Sequence, residues 1–565
     1  MSREDNYWVR RLRSGSLDRR RFLGGVAVAG AGAAAVGLVG CGDDDNTSKP
    51  AATSGGASPA ASAAVVAPKK GGIYNVGFTG PFAGVSPVNS VYGGSGIVPA
   101  VYNYLFRNFL LAPDKGNIYD LATTHSVAAD NVTWTFKIRG DAKVAPNKYG
   151  VPERPLDAAD VKASFDLYSD AKVGSNGFAF FSQWVDKMDA PDATTFRMVT
   201  KKPYAFAESS LGNALWAPIV PKEWLAKGLD QIKADSVGAG AFMLKDLTEG
   251  GAGNMVPNPN YWDKGKPYLD QFTIKSFADQ ATYRTAFQGK QVDVYGPPDK
   301  DEGDSLAKGE AGVIHSTDPG LGYLSFWMNT KKKPYDDPRV RRAVNMAINR
   351  DEYVQLIGHG TGEPIGVLTY AFKNEALAGD DLKKVQPFDV AGAKALFSAA
   401  GVKEIPFTHP TSSNVNDYVQ IFVRQMQAAG VTAKPTPLDA GTWVAQYFAS
   451  TLDGSLSLNQ TYNNPDVALQ WYHTGGITGN NKYDTGFSVP EVDAAIEKAA
   501  GTLDPKARAT AYQDAQKVIF KNDPPFINFF GLKTEVVYRN FIQNYPVGLS
   551  QLGNALTKEI WFNKA

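Results

Sequence analysis

The chain reads as an α/β protein, with strands and helices alternating over roughly 500 residues. Its 565 residues, 43% of them hydrophobic and 12% aromatic, are globular in composition and exceed what one core needs. Two-residue apolar alternation marks half-buried strands, and Asp caps open amphipathic helices. A single cysteine excludes an internal disulfide framework and any cysteine-rich zinc or iron–sulfur site.

The N-terminus reads as an address. Met1 to Leu23 carries seven Arg against Glu4, Asp5 and Asp18, a net of +4, and the 17 residues Gly24 to Gly40 have no charge. That run is short and rich in Gly and Ala, which suits the core of a signal peptide over residues 1–40 better than a membrane span. Arg19, Arg20, Phe22 and Leu23 match a twin-arginine export signal. Leu38-Val39-Gly40-Cys41 resembles a lipobox, in which the cysteine is diacylated and becomes the new N-terminus. The only cysteine stands where that chemistry needs a thiol.

Residues 42–68 follow without one aromatic. Such a composition buries too little apolar area to offset its ordering entropy. Residues 41–68 are therefore expected to be a lipidated cysteine and a disordered tether, spanning on the order of 30 Å as a flexible coil. The protein is expected to work outside the cytoplasm, anchored to the outer face of the bacterial cytoplasmic membrane.

In the body, residues 71–80 alternate as a strand and close on a Gly-Pro turn. Residues 133–140 place Trp134, Phe136 and Ile138 on one face of another. Asp337 caps a helix to 348 with Pro338 at its first position, and Asp389 opens one that stops at Gly401. Asp504-Pro505 opens a third, with Tyr512, Ala515 and Ile519 turned inward.

Catalytic hardware is sparse. The chain contains no G-x-S-x-G, no phosphate loop, no helix-opening G-x-G-x-x-G and no H-E-x-x-H. The five histidines lie at 125, 315, 359, 409 and 473, too far apart for a local metal-binding pair, so no metal and no cofactor are expected. A net charge of +1 gives no reason to expect nucleic acid. The 10 Trp and 25 Tyr supply the flat, polar-tipped side chains of a ligand-enclosing cleft.

Four stretches in order resemble the peptide/nickel-type (family 5) extracellular solute-binding proteins of ABC importers. They lie within 101–168, 237–296, 322–354 and 463–519. The third, GYLSFWMNTKKKPYDDPRVRRAVNMAINRDEYV, is the most diagnostic, through Asn329, Pro334, Asp336, Asp337, Arg339, Arg341, Arg350 and Asp351. The resemblance implies a two-lobe periplasmic-binding-protein (Venus-flytrap) fold with an extra subdomain on the first lobe. By analogy, 69–318 form the first lobe, with the subdomain at about 105–235. Residues 319–530 form the second lobe, and 531–565 return to the first. A peptide or other small molecule would close the lobes, and the closed form would dock on membrane permease subunits. The protein is expected to be a monomer and not an enzyme.

One departure from the family pattern bears on the ligand. Peptide-binding members carry, in the segment aligned with 458–469, an Asp that pairs with the peptide's α-ammonium. Anchored on Pro465, that position is Thr461, which accepts a hydrogen bond but neutralises no charge. Asp439, Asp453 or Asp466 would be the substitutes, although Asp466 reads as a helix cap. The resemblance also admits an oligosaccharide, opine or other amine-free solute, for which Asn459, Thr461, Tyr462 and Asn463 offer amide and hydroxyl groups. Phe82, Trp184, Tyr323, Trp327 and Trp443 are the candidate stacking residues. A surface-anchored hydrolase is the alternative from another class.

Overall fold

The structure is a computed structural model and describes residues 67–80, 85–88, 94–107, 118–213, 216–248, 251–411, 413–460, 464–474, 484–546 and 557–564. Within the unit Lys69–Ala565, the strands and helices that position the site run as follows. In the first part are β1 (Ile73–Thr79), β2 (Ala122–Val127), β3 (Thr133–Ile138), α1 (Ala158–Ser169), β4 (Val185–Asp192) and β5 (Thr195–Thr200). Then come β6 (Phe242–Thr248), β7 (Ala252–Pro257), β8 (Gln271–Phe277) and β9 (Val313–Met328). The second part holds α2 (Pro338–Ala347), α3 (Val390–Ala399), β10 (Glu404–Pro410), α4 (Ser413–Ala428), β11 (Thr432–Leu438), α5 (Ala440–Phe448) and β12 (Gly454–Gln460). It closes with α6 (Pro465–Leu469), α7 (Pro490–Gly501), α8 (Pro505–Lys521) and β13 (Phe526–Arg539).

Local chemistry accounts for many of these elements. The alternation in β3 buries Trp134, Phe136 and Ile138 and leaves Lys137 exposed. Asp157 opens α1 with a reciprocal box: its carboxylate accepts from the Asp160 amide, and the Asp160 carboxylate accepts from its own. Asp337, Asp389 and Asp504 cap α2, α3 and α8 by accepting from backbone amides two or three residues on, each at 2.8 Å. Gly401, at φ +69°, takes the left-handed position that ends α3. Gly240 has a packing reason, since a Cβ there would stand 2.5 Å from the Ala100 carbonyl oxygen.

Three sheets organise the body. A four-stranded sheet runs β1-β8-β7-β6, with β1 and β8 parallel. A separate antiparallel sheet, β2-β3-β5-β4, lies within residues 122–200. The seven-stranded sheet orders Val294–Tyr295, β13, β9, β12, β10 and β11, with Glu363–Pro364 added on β13.

Two long antiparallel strands, β9 and β13, run side by side through the seven-stranded sheet. Val313 to Pro319 pair with Arg539 to Lys533, beside the short strand Val294–Tyr295. Tyr323 to Trp327 pair with Gly531 to Phe526, beside β12. Between those halves the register shifts, from Pro319 to Tyr323, and it shifts once more inside the second half, between Leu324 and Ser325. At the break Gly320 passes so near β13 that a Cβ would lie 2.2 Å from the Leu532 carbonyl oxygen. A ladder interrupted at one level in two adjacent strands is where a sheet bends most easily.

The cores divide accordingly. Leu324, Phe326, Met328, Val340, Val344, Phe397, Phe407, Phe422, Leu456 and Phe529 form a separate core around one face of the seven-stranded sheet. The largest cluster extends from Tyr74, Phe136 and Trp184 to Trp327, Trp471 and Tyr512, so apolar packing runs continuously from the first sheets to the later helices.

Candidate functional site

The alternation of β9 and β12 sorts their side chains onto two faces. Tyr323, Ser325 and Trp327 stand opposite Asn459, Ser457 and Ser455, while Leu324, Phe326, Met328 and Leu456 turn into the core that holds Phe407 and Phe422. The first face is polar and nonetheless buried, with Ser325 and Ser455 fully enclosed. Asn459 Nδ2 donates to Ser325 Oγ at 2.7 Å and to Ser457 Oγ at 3.2 Å. Trp443 Nε1 donates to Ser455 Oγ at 3.0 Å, and its ring stacks on Tyr447 at 4.7 Å. Trp327 meets Tyr447 edge-on at 5.7 Å, and its Nε1 has no hydrogen-bond partner among the described residues.

Sequence-expected Tyr323, Trp327, Trp443 and Asn459 thus share one neighbourhood. The rings of Trp327 and Trp443 are packed on Tyr447 within it. Phe82, Thr461, Tyr462 and Asn463 lie outside the described residues, as do Cys41, Arg19, Arg20, Phe22 and Leu23.

Trp184 stands elsewhere, at a seam where residues 176–216 meet 464–512. Its indole stacks on Tyr204 with centroids 4.1 Å apart. Across the seam the Ala205 amide donates to the Ala500 carbonyl at 2.9 Å, Lys202 pairs with Glu497 at 2.6 Å, and Phe206 meets Tyr512 edge-on. A cavity of about 20 Å³, room for one water-sized group, remains there. Trp184, Tyr204, Trp216, Asp466 and Gln470 are among its lining residues.

Asp466 corrects an expectation. The cap of α6 is Asn464, whose Oδ1 accepts from the Val467 amide at 3.1 Å. Pro465 takes the first helical position, so the cap must precede it, and Asp466 lies within the first turn with its carboxylate turned inward. Tyr204 donates to its Oδ2 at 2.9 Å, and Gln470 Nε2 and Tyr512 donate to its Oδ1 at 3.2 and 3.5 Å. Burial pushes this carboxyl up to about 6, against the opposing hydrogen bonds and the nearby His473. Asp439 instead caps α5, accepting from the Thr442 amide, and Asp453 pairs with Lys332 at the surface.

Sequence reasoning missed Tyr204, Trp216 and Gln470. Tyr204 and Trp216 lie in no periodic run or spacing motif, and Gln470 falls within the fourth family-like stretch with nothing local to mark its role; what unites them is the cavity they line.

Comparison with known proteins places this geometry. The family model described as bacterial extracellular solute-binding proteins, family 5 middle, matches residues 118–480, more than half of the chain. The glutathione-binding protein GsiB of Salmonella paratyphi A is 25% identical over 431 residues, covering 72% of this chain and 78% of that protein. The DppA periplasmic binding protein of Helicobacter pylori, solved with the peptide STSA, superposes with a TM-score of 0.77 at 19% identity, over 88% of this chain and 99% of its own. AgaA of A. tumefaciens R10, solved with agropinic acid, gives a TM-score of 0.77 at 21% identity, over 87% and 99%. The two structural likenesses, at that identity, establish the two-lobe fold.

Proposed function

From the premise that this chain belongs to the bacterial extracellular solute-binding proteins, family 5, we propose that it is the lipid-anchored receptor of an ABC importer, taking a short peptide between its lobes. The observation that carries this reading is the pair of strands β9 and β13, which cross together from one lobe to the other with their register broken at the same level. A body hinged there opens and shuts the seam that Tyr204 and Asp466 close. Solute contacts to both sides then favour the shut form, which is what a membrane permease can distinguish from the open one.

Similarity to a glutathione-binding protein and to a peptide-bound structure supports a peptide. A second reading, an opine or other amine-free polar solute, draws on the agropinic acid complex and on Thr461 at the family's acidic position. Anchoring through Cys41 after twin-arginine export rests on the sequence motifs; among the described residues no helix is long and apolar enough to cross a membrane.

The test is to purify the protein, denature it and identify by mass spectrometry the small molecule it releases. Peptides of two to several residues support the first reading. An opine or sugar overturns it in favour of the second.

A further inference from the structure

Where the helix Lys300–Gly309 covers one face of β9 and β13, a histidine lies between two carboxylates. His315 Nδ1, from β9, stands 2.9 Å from Asp304 Oδ1 on the helix, and its Nε2 stands 2.7 Å from Glu535 Oε2 on β13. The His315 side chain is 8% exposed and that of Glu535 3%. A Cβ at Gly303 would come 2.3 Å from His315 Nε2, so a glycine there lets the helix pass close over the ring. One side chain thus joins three elements, just before the register break that follows Pro319.

The donor count makes this arrangement sensitive to a single proton. An ionised carboxylate only accepts, so each of the two contacts needs an N–H on the ring. Imidazolium has two; neutral imidazole has one and turns a lone pair toward the other carboxylate. Asp304 is ionised, because the Lys300 ammonium, together with His315, holds its carboxyl down at about 2. Glu535 Oε2 also accepts from Thr317 Oγ1 at 2.6 Å, while its Oε1 is buried without a hydrogen-bond partner among the described residues. Other charges near the ring are engaged or turned away. Glu302 accepts from Tyr295 at 2.7 Å, Arg539 on the same face of β13 is bound to Glu310, and Lys533 is exposed. Lys300, Asp304, His315 and Glu535 therefore balance in charge only when the imidazole carries both protons.

We propose that His315 is a proton-operated brace for the β9–β13 pair. With both protons it holds the helix Lys300–Gly309 and β13 at once. With one, its N–H stays on Glu535, which is buried and pairs with no Lys or Arg among the described residues. Asp304, which is partly exposed and keeps Lys300, is released, and the helix loses its charged tie to the strands. This goes beyond solute capture. Only its consequence, that the stiffness of the hinge follows external pH, rests on the receptor reading.

The test follows amide hydrogen exchange by mass spectrometry in the purified protein at about pH 5 and about pH 8, corrected for the intrinsic pH dependence of exchange. Segment 300–309 is expected to be at least about tenfold better protected at the lower pH, the worth of one hydrogen bond to a charged group. His315→Gln, which takes up no proton, abolishes the difference. Asp304→Asn abolishes it too, and it alters a partly exposed side chain, so it keeps the test decisive should His315→Gln fold poorly. His359 is a second titratable group at this helix, 3.8 Å from Asp299 and 3.9 Å from Asp301, and both variants leave it in place. A pH difference that survives in either variant belongs to another group and overturns the brace. Equal protection at the two pH values in the unaltered protein overturns it as well, and leaves the receptor reading standing.

Discussion

The Tyr204 hydroxyl donates to the Asp466 carboxylate at 2.9 Å, joining two segments 262 residues apart. Both side chains are buried, so the bond forms only when the seam between residues 176–216 and 464–512 is shut. Tyr204→Phe removes this donor and leaves the carboxylate with Gln470 and the more distant Tyr512. We expect a loss of about 1–3 kcal/mol in urea unfolding at pH 7.5. Glu497→Gln breaks the exposed pair with Lys202 on the same seam and is expected to cost less than about 1 kcal/mol. Equal effects of the two changes would contradict the buried bond as the seam's main polar contact.

Asp466 makes stability depend on pH with a definite sign. Its folded-state value, pushed up from 3.8 to about 6, means the folded protein holds a proton that the unfolded chain releases. The stabilisation from that proton is fully present below about pH 4 and is lost as pH rises through about 6. Solute-free Asp466→Asn carries no charge to bury, so it should exceed the unaltered protein at pH 7.5 by on the order of 3 kcal/mol and show no such advantage near pH 4. Denaturant unfolding at the two pH values checks this. An advantage that is the same at both would exclude Asp466 as the titrating group.

The two faces of β9 should respond differently to truncation. Phe326 stacks on Phe422 at 4.6 Å in a buried apolar core, and Phe326→Ala is expected to cost about 3–5 kcal/mol in urea unfolding. Its neighbour Ser325 faces Asn459 on the polar side. Ser325→Ala should cost about 1 kcal/mol, the worth of one hydrogen bond. Similar losses for both would place Ser325 in the core as well.

Cys41→Ser should release the protein from the membrane fraction without changing solute affinity, as read by fractionation and a binding titration on the same preparation. Lost affinity would contradict the tether.

Much of the architecture was legible in the sequence because it is locally encoded. Asp157, Asp337, Asp389 and Asp504 accept hydrogen bonds from amides two or three residues away, so the helices they open can be read from neighbours alone. The alternation Trp134-x-Phe136-x-Ile138 likewise needs only the period of a strand. The spaced residues of 322–354 were enough to indicate the family.

What the tertiary structure decided is which residues meet. Alternation in β9 separates Tyr323, Ser325 and Trp327 from Leu324 and Phe326, but that the first set faces Ser455, Ser457 and Asn459 depends on pairing with β12. Asp466 looked like a cap because an Asp after Asn-Pro suits a helix start. It became a buried carboxylate because the chain brings Tyr204 and Tyr512 over it, and no local periodicity records so distant a contact. Sequence carries short-range hydrogen bonds and faces directly; burial of a charge depends on the whole body closing around it.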